Sequence, residues 1–127
     1  MNDSSETALK FSGEGMAEFK RICSRYPENR RRSALIPTLR LAQEEFGYLS
    51  PRAIQYVAEL LSLSPMDVLS VTSFYEMLHT KPVGTHHLWV CHNLSCFLAG
   101  AEDIISHLER KLGILAGEIT RDSRFSL

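Results

Sequence analysis

The hydrophobic pattern of this chain changes character once, at Lys81-Pro82-Val83-Gly84, so two kinds of structure must follow one another in series. Upstream, apolar residues recur every three or four positions, as on a helix with one buried face. Met16, Phe19, Ile22 and Cys23 predict a helix that ends before Pro27. Leu35, Ile36, Leu39, Ala42 and Phe46 predict a second, from about residue 33 to 46, with Gly47 as its stop. Pro37 fits near its first turn, where the missing N–H has no helical partner anyway. Ser50-Pro51 and Ser64-Pro65 each pair a capping hydroxyl with a proline of pre-set φ, and Asp67 places a negative charge at the positive end of the later helix. Ile54, Val57, Ala58 and Leu61 give the intervening helix its apolar face. Residues 16–80 are expected to form a helical bundle with short connections, and residues 1–15 a flexible lead-in.

Downstream of the break, His87-Leu88-Trp89-Val90-Cys91 predicts a short strand, followed by a loop that carries Cys96. In the helix that comes next, Leu98, Ala101, Ile105, Leu108 and Leu112 face one way, and Glu102, Asp103, Glu109 and Arg110 the other. Arg110 and Lys111 suit its negative end, and Gly113 closes it. A turn-rich stretch from Gly117 to Ser123 leads into Phe125-Ser126-Leu127, which reads as the start of another strand. The fold class expected is α+β: a helical bundle, then an incomplete βαβ unit over residues 84–127. A chain stopping in mid-strand is expected to be a truncated product with a sticky edge, capable of forming a homodimer when isolated.

Composition narrows the function. Fourteen basic and fifteen acidic side chains leave a formal charge of −1, which exerts no general pull on nucleic acid or anionic lipid. The polar opening MNDSSETALKFSGEG lacks the apolar core of a signal peptide, and no apolar run reaches the ~20 residues needed to span a bilayer. A cytoplasmic location is expected, with any membrane association made through a partner. Arg30-Arg31-Arg32 reads as a solvated, partner-facing patch, since no recognition-helix signature accompanies it. No G-x-G-x-x-G, G-x-S-x-G or C-x-x-C motif is present, so nucleotide binding, that type of hydrolase site and thioredoxin-type exchange are not indicated.

An odd number of cysteines, three, argues against a disulfide framework and leaves metal ligation or burial. Cys23 stands alone and reads as a small buried hydrophobe. Cys91 and Cys96 bracket four residues between a strand and a helix, so both thiolates can address one centre. A helix N-terminus near Cys96 is expected to lower its pKa. By spacing alone, two cysteines packed under a loop would look the same. His86, His87 and His92 lie close enough to be considered as zinc ligands, but His86 and His87 point to opposite faces of a strand. His79 and His107 read as surface residues of helices.

The run Val90-Cys91-His92-Asn93-Leu94-Ser95-Cys96, followed by Gly100-Ala101-Glu102, resembles the first ligand motif of the thioredoxin-like [2Fe-2S] ferredoxin subunit of NADH:quinone oxidoreductase, respiratory complex I. Related subunits serve NAD-dependent hydrogenases and formate dehydrogenases. Ser33 to Leu39 with Gln43 to Leu49 resembles the family's helical signature, and Val71-Thr72-Ser73-Phe74-Tyr75 with Lys81-Pro82-Val83-Gly84 the segment leading into its thioredoxin-like domain. The resemblance implies a one-electron carrier beside a flavin-bearing, NADH-binding subunit, peripheral to the inner membrane through its complex. It also implies four cysteine ligands, of which Cys91 and Cys96 match the first pair, with the second pair expected shortly beyond Leu127. The alternative is an interaction or assembly protein of the same family without a cluster.

Overall fold

In a computed structural model, residues 9–127 are described and divide into two units at Pro82/Val83. In the first unit, helices α1 (Gly13–Cys23), α2 (Leu35–Phe46), α3 (Pro51–Leu61) and α4 (Pro65–Phe74) surround one apolar core, with a 3₁₀ segment, Glu28–Ala34, between α1 and α2. Leu39, Leu49, Val57, Leu61 and Val68 are fully closed off from solvent. Each buried aliphatic side chain of this size contributes roughly 1.5–3 kcal/mol. α3 supplies Ala53, Ile54, Val57, Ala58 and Leu61, the stripe expected of a helix pressed between neighbours. Thr38 and Thr72 are also buried, and each hydroxyl donates to the carbonyl four residues back, Ala34 at 2.7 Å and Val68 at 2.8 Å, which removes the cost of burying it.

Both serine-proline starts behave as local chemistry dictates. Ser50 Oγ accepts from the Ala53 amide at 3.2 Å, and Ser64 Oγ from the Met66 amide at 3.2 Å. The second helix expected from the sequence is two elements: the 3₁₀ segment takes Ser33 and Ala34, and α2 begins at Leu35.

The lead-in expected over residues 1–15 is shorter on its described side. Ser12 caps α1 by accepting from the Gly15 amide at 3.0 Å, so the helix starts at Gly13. Glu45 of α2 then accepts from the Ser12 amide at 3.0 Å and from its hydroxyl at 2.5 Å. Phe11 is buried, stacked on Phe46 at 5.6 Å and edge-on to Tyr56 at 5.2 Å. Residues 1–8 lie outside the described part. At the other end, Gln43 receives the His79 amide at 2.6 Å and donates to the Met77 carbonyl at 3.0 Å. His79 therefore lies in a turn after α4 rather than on a helix surface.

The second unit contains β1 (His86–His87), α5 (Leu94–Leu98), α6 (Ala101–Leu112) and β2 (Phe125–Ser126), an α+β arrangement. β1 and β2 run parallel, with His86 opposite Phe125 and His87 opposite Ser126, and Ile119 bridges Ser126 antiparallel on the other side. The strand expected over residues 87–91 is shorter and starts one residue earlier. Its ladder ends where Leu88 N–H meets the Ser126 carbonyl at 2.8 Å, because the described partner strand is only two residues long. The loop expected to carry Cys96 is instead helix α5, and the amphipathic helix expected from Leu98 begins at Ala101, because Gly100, with a φ of +95° in the left-handed region, separates the two. Leu98 consequently sits at the end of α5, largely exposed, and leaves the apolar stripe of α6.

No single described helix is long and apolar enough to cross a membrane; α3 and α4 together reach the necessary composition but meet at a 119° bend.

Candidate metal centre

The candidate site lies on the connection from β1 to α5. Two close contacts hold the start of that connection. Gly84 lies against the backbone of β2, where a Cβ would come within 2.5 Å of the Phe125 carbonyl carbon, so a larger residue cannot pass without shifting the strand. Ser126 is buried, and its hydroxyl accepts from the Gly84 amide at 2.9 Å and lies 2.6 Å from His87 Nδ1. Burial holds the His87 ring below its ordinary pKa, which favours the neutral form. With Nδ1 unprotonated, the Ser126 hydroxyl donates to it, an assignment that satisfies all three groups. His87 in turn packs edge-on against Trp89 at 4.7 Å.

From Trp89 the chain runs through Cys91 to Asn93, which starts α5 by accepting from the Leu94 amide at 2.8 Å through its side chain and from the Phe97 amide at 2.8 Å through its carbonyl. Cys96 lies in the first turn of α5 and Cys91 on the connection before it, close enough for one thiol to affect the ionisation of the other. Cys91 is exposed and Cys96 half-buried. The hydrogen bond with Cys91, then the charge of a Cys91 thiolate, then burial push the Cys96 thiol above its ordinary pKa. This reverses the lowering expected from a helix N-terminus: α5 has five residues, so its dipole is weak, and the second proton leaves a pair less readily than the first. A thiophilic metal, when bound, would offer both sulfurs a positive charge in place of their protons.

The donor set fits one iron of a two-iron cluster, which takes two thiolates per iron. Among the described residues no group of three or more His, Cys, Asp or Glu side chains could hold a metal ion, so Cys91 and Cys96 are not joined there by a second pair. Cys23 belongs to the helical unit, half-buried against its core, and burial pushes its thiol pKa up. His86 packs against the Phe125 ring at 5.3 Å and His87 is engaged by Ser126. The arginine triplet lies in the 3₁₀ segment, with Arg32 reaching Asp67 of α4 at 3.7 Å. Sequence patterns did not reveal Ser126 and marked Gly84 only as a break, since the contact between them spans 42 positions.

Comparison with known proteins extends this geometry. The family described as thioredoxin-like [2Fe-2S] ferredoxin matches residues 19–127. An NADH-quinone oxidoreductase subunit of Rhizobium meliloti (strain 1021) is 42% identical over 110 residues, covering 87% of this chain and 64% of the relative. NADH-quinone oxidoreductase subunit 2 of Thermus thermophilus is 43% identical over 104 residues, covering 82% and 58%. The mitochondrial NADH dehydrogenase [ubiquinone] flavoprotein 2 of Dictyostelium discoideum is 36% identical over 127 residues, covering 99% and 51%. The chain thus spans between about half and two thirds of the length of these relatives. The match runs through both units and includes the Cys91/Cys96 connection, and this chain belongs to the thioredoxin-like [2Fe-2S] ferredoxin family.

Proposed function

We propose that this chain is an electron-transfer subunit of an NADH dehydrogenase module, in which Cys91 and Cys96 bind one iron of a [2Fe-2S] cluster. The observation that carries the reading is the cysteine pair itself, Cys91 on the connection from β1 and Cys96 in the short helix α5 that follows, within the segment that matches the family. When bound, the cluster supplies a site for one electron. The protein holds the sulfurs, restricts solvent on the Cys96 side, and anchors the connection at its start through Gly84, Ser126 and His87. The relatives named above are NADH-quinone oxidoreductase and NADH dehydrogenase proteins, which supports a neighbouring flavin-bearing, NADH-binding subunit as the electron donor. Such a subunit would be peripheral to the membrane and attached through its complex. A cluster bound here takes two further ligands, which in the isolated protein the Cys91 and Cys96 of a second copy can supply.

The test is anaerobic reconstitution with iron and sulfide, followed by iron counting and electron paramagnetic resonance of the reduced sample. About two irons per chain, or two per pair of chains where a second copy's thiols complete the site, with a [2Fe-2S] signal that disappears in Cys91→Ser, support the proposal. A reduced, folded chain that takes up no iron overturns it. That outcome selects a second reading, an interaction or assembly protein of the same family without a cluster, which a donor set of two cysteines among the described residues favours.

A further inference from the structure

We infer that the outward face of α4 is a docking site for an acidic amphipathic helix of a partner protein. The preceding helix shows how this unit builds a solvated face: α3 turns Arg52, Gln55 and Glu59 outward and keeps its apolar stripe inside. α4 does not follow that rule. Val68 and Thr72 are buried and Val71 is half-buried against the core, yet the positions left exposed after Pro65 are Met66, Leu69, Ser70, Ser73 and Phe74, with no charge among them. Met66 is 68% exposed and Phe74 77%, and Met77, in the turn after the helix, is exposed as well. A helix that is apolar on both sides is one that is covered on both sides. The exposed positions of α4 share one face at three- and four-residue intervals, the pattern that a second helix reads. Ser70 and Ser73 are small beside their neighbours, which favours close approach, and the Ser70 hydroxyl donates to the Met66 carbonyl at 2.9 Å, so it needs no water.

Charge selects the partner. The 3₁₀ segment carries Arg30, Arg31 and Arg32, all exposed, and Arg32 reaches Asp67 at 3.7 Å, which brings the basic run beside Met66 at the start of the stripe. Among the described residues Arg30 and Arg31 make no ion pair, so a carboxylate arriving there gains what a neutral or basic group does not. Glu76 is exposed past the other end of α4, so the attraction is confined to the Met66 end and the partner's acidic residues lie over that end. A second copy of this chain is the poorer occupant. Four exposed apolar side chains, Met66, Leu69, Phe74 and Met77, make a patch on the order of a few hundred Å², the scale of an interaction site, against about 800 Å² per partner in a standard interface. The patch therefore suits one laid-in helix, and the inference needs neither iron nor the cysteines.

The test titrates the whole chain into fluorescein-labelled peptides of about 18 residues, with leucines at i, i+3, i+4 and i+7 and Glu, Gln or Lys elsewhere, and reads anisotropy. The Glu peptide is expected to bind about tenfold more tightly than the Gln peptide, and the Lys peptide more weakly than either. Phe74→Ser should weaken the Glu peptide by about tenfold or more with the circular dichroism unchanged. Met66→Ser, at the other end of the stripe, should do the same and carries the test if Phe74→Ser loses helix. Arg30→Gln together with Arg31→Gln should bring the Glu peptide down to the affinity of the Gln peptide and leave the Gln peptide where it was, a selective change that a structural loss would not produce. No binding of the Glu peptide, equal binding of all three, or binding that survives both stripe variants overturns the inference. A dimer in light scattering that Phe74→Ser dissolves would assign the face to a second copy, and co-sedimentation with phosphatidylserine vesicles that Phe74→Ser abolishes would assign it to a lipid surface. Either result overturns the assignment to a partner helix.

Discussion

Leu39, Leu49, Val57, Leu61 and Val68 are sealed inside the helical unit, whereas in the unit from Val83 to Leu127 the buried apolar side chain is that of Ala101. Trp89, Leu94, Phe97, Leu98 and Leu115 of that second unit remain more than half exposed. The two units are therefore held by different means. Apolar burial orders the helices, and deleting any one contact leaves a core behind. The second unit relies on backbone bonds and on the close approach of Gly84 and Ser126, which fix the start of the thiol-bearing connection without enclosing its thiols. Such a unit leaves the cysteines accessible to metal or oxidant, and it is more easily disturbed by a single atom.

Trp89 is the only tryptophan, so its fluorescence reports the second unit, while far-ultraviolet circular dichroism is dominated by the helical unit. Leu39→Ala should have the largest effect, about 3 kcal/mol of lost stability in the circular dichroism transition, because it opens a cavity in a closed core. The Trp89 transition should stay where it was. If both transitions move together, the units unfold as one cooperative body and the comparison fails.

Gly84→Ala should reverse the pattern. Its Cβ would strike the Phe125 backbone, costing roughly 2 kcal/mol in the Trp89 transition with little change in the helical signal. The same variant should weaken iron binding during reconstitution if the connection to Cys91 is positioned from this contact. An unchanged Trp89 transition would show that Gly84 is not what holds β1 to β2.

Ser50→Ala removes the α3 cap and should cost ~1 kcal/mol, read only in the helical transition. A larger loss would mean that the cap sets the path of the preceding turn as well as closing the helix.

The smallest effect concerns pH. The His87 pKa is lowered by burial from an ordinary value of 6.5, so below that value the unfolded chain takes up the proton more readily than the folded one. The contribution of the neutral ring is fully present above pH 6.5 and is lost as pH falls toward the folded value. Urea midpoints from Trp89 fluorescence should decline over that range, and His87→Gln should flatten the decline. A wild-type midpoint that does not change would rule out a half-buried neutral His87.

Local chemistry was legible wherever neighbours in sequence decide the outcome. The stripe of α3, both serine-proline caps and the stop at Gly47 all follow from residues within a few positions of one another. The family resemblance rested on the same short motifs, and the match over residues 19–127 agrees with it. The start of α1 was not legible, because Phe11 and Ser12 are ordered by Tyr56, Phe46 and Glu45, more than thirty positions away. Gly100 was passed over inside an amphipathic pattern, since periodicity does not reveal a left-handed backbone angle.

The thiol pKa shows the same division within the site itself. A dipole argument from the helix N-terminus predicts a lowered value at Cys96, but the nearby Cys91 thiol raises it, and that influence outweighs a five-residue helix. Sequence alone indicated the four helices of the first unit and α6 and which of their residues are apolar on which face, because those properties depend on spacing along one chain. Tertiary structure decided where β1 ends, why position 84 must be glycine and what Ser126 is for. Each of these depends on atoms brought together across a loop, and no periodicity encodes that approach.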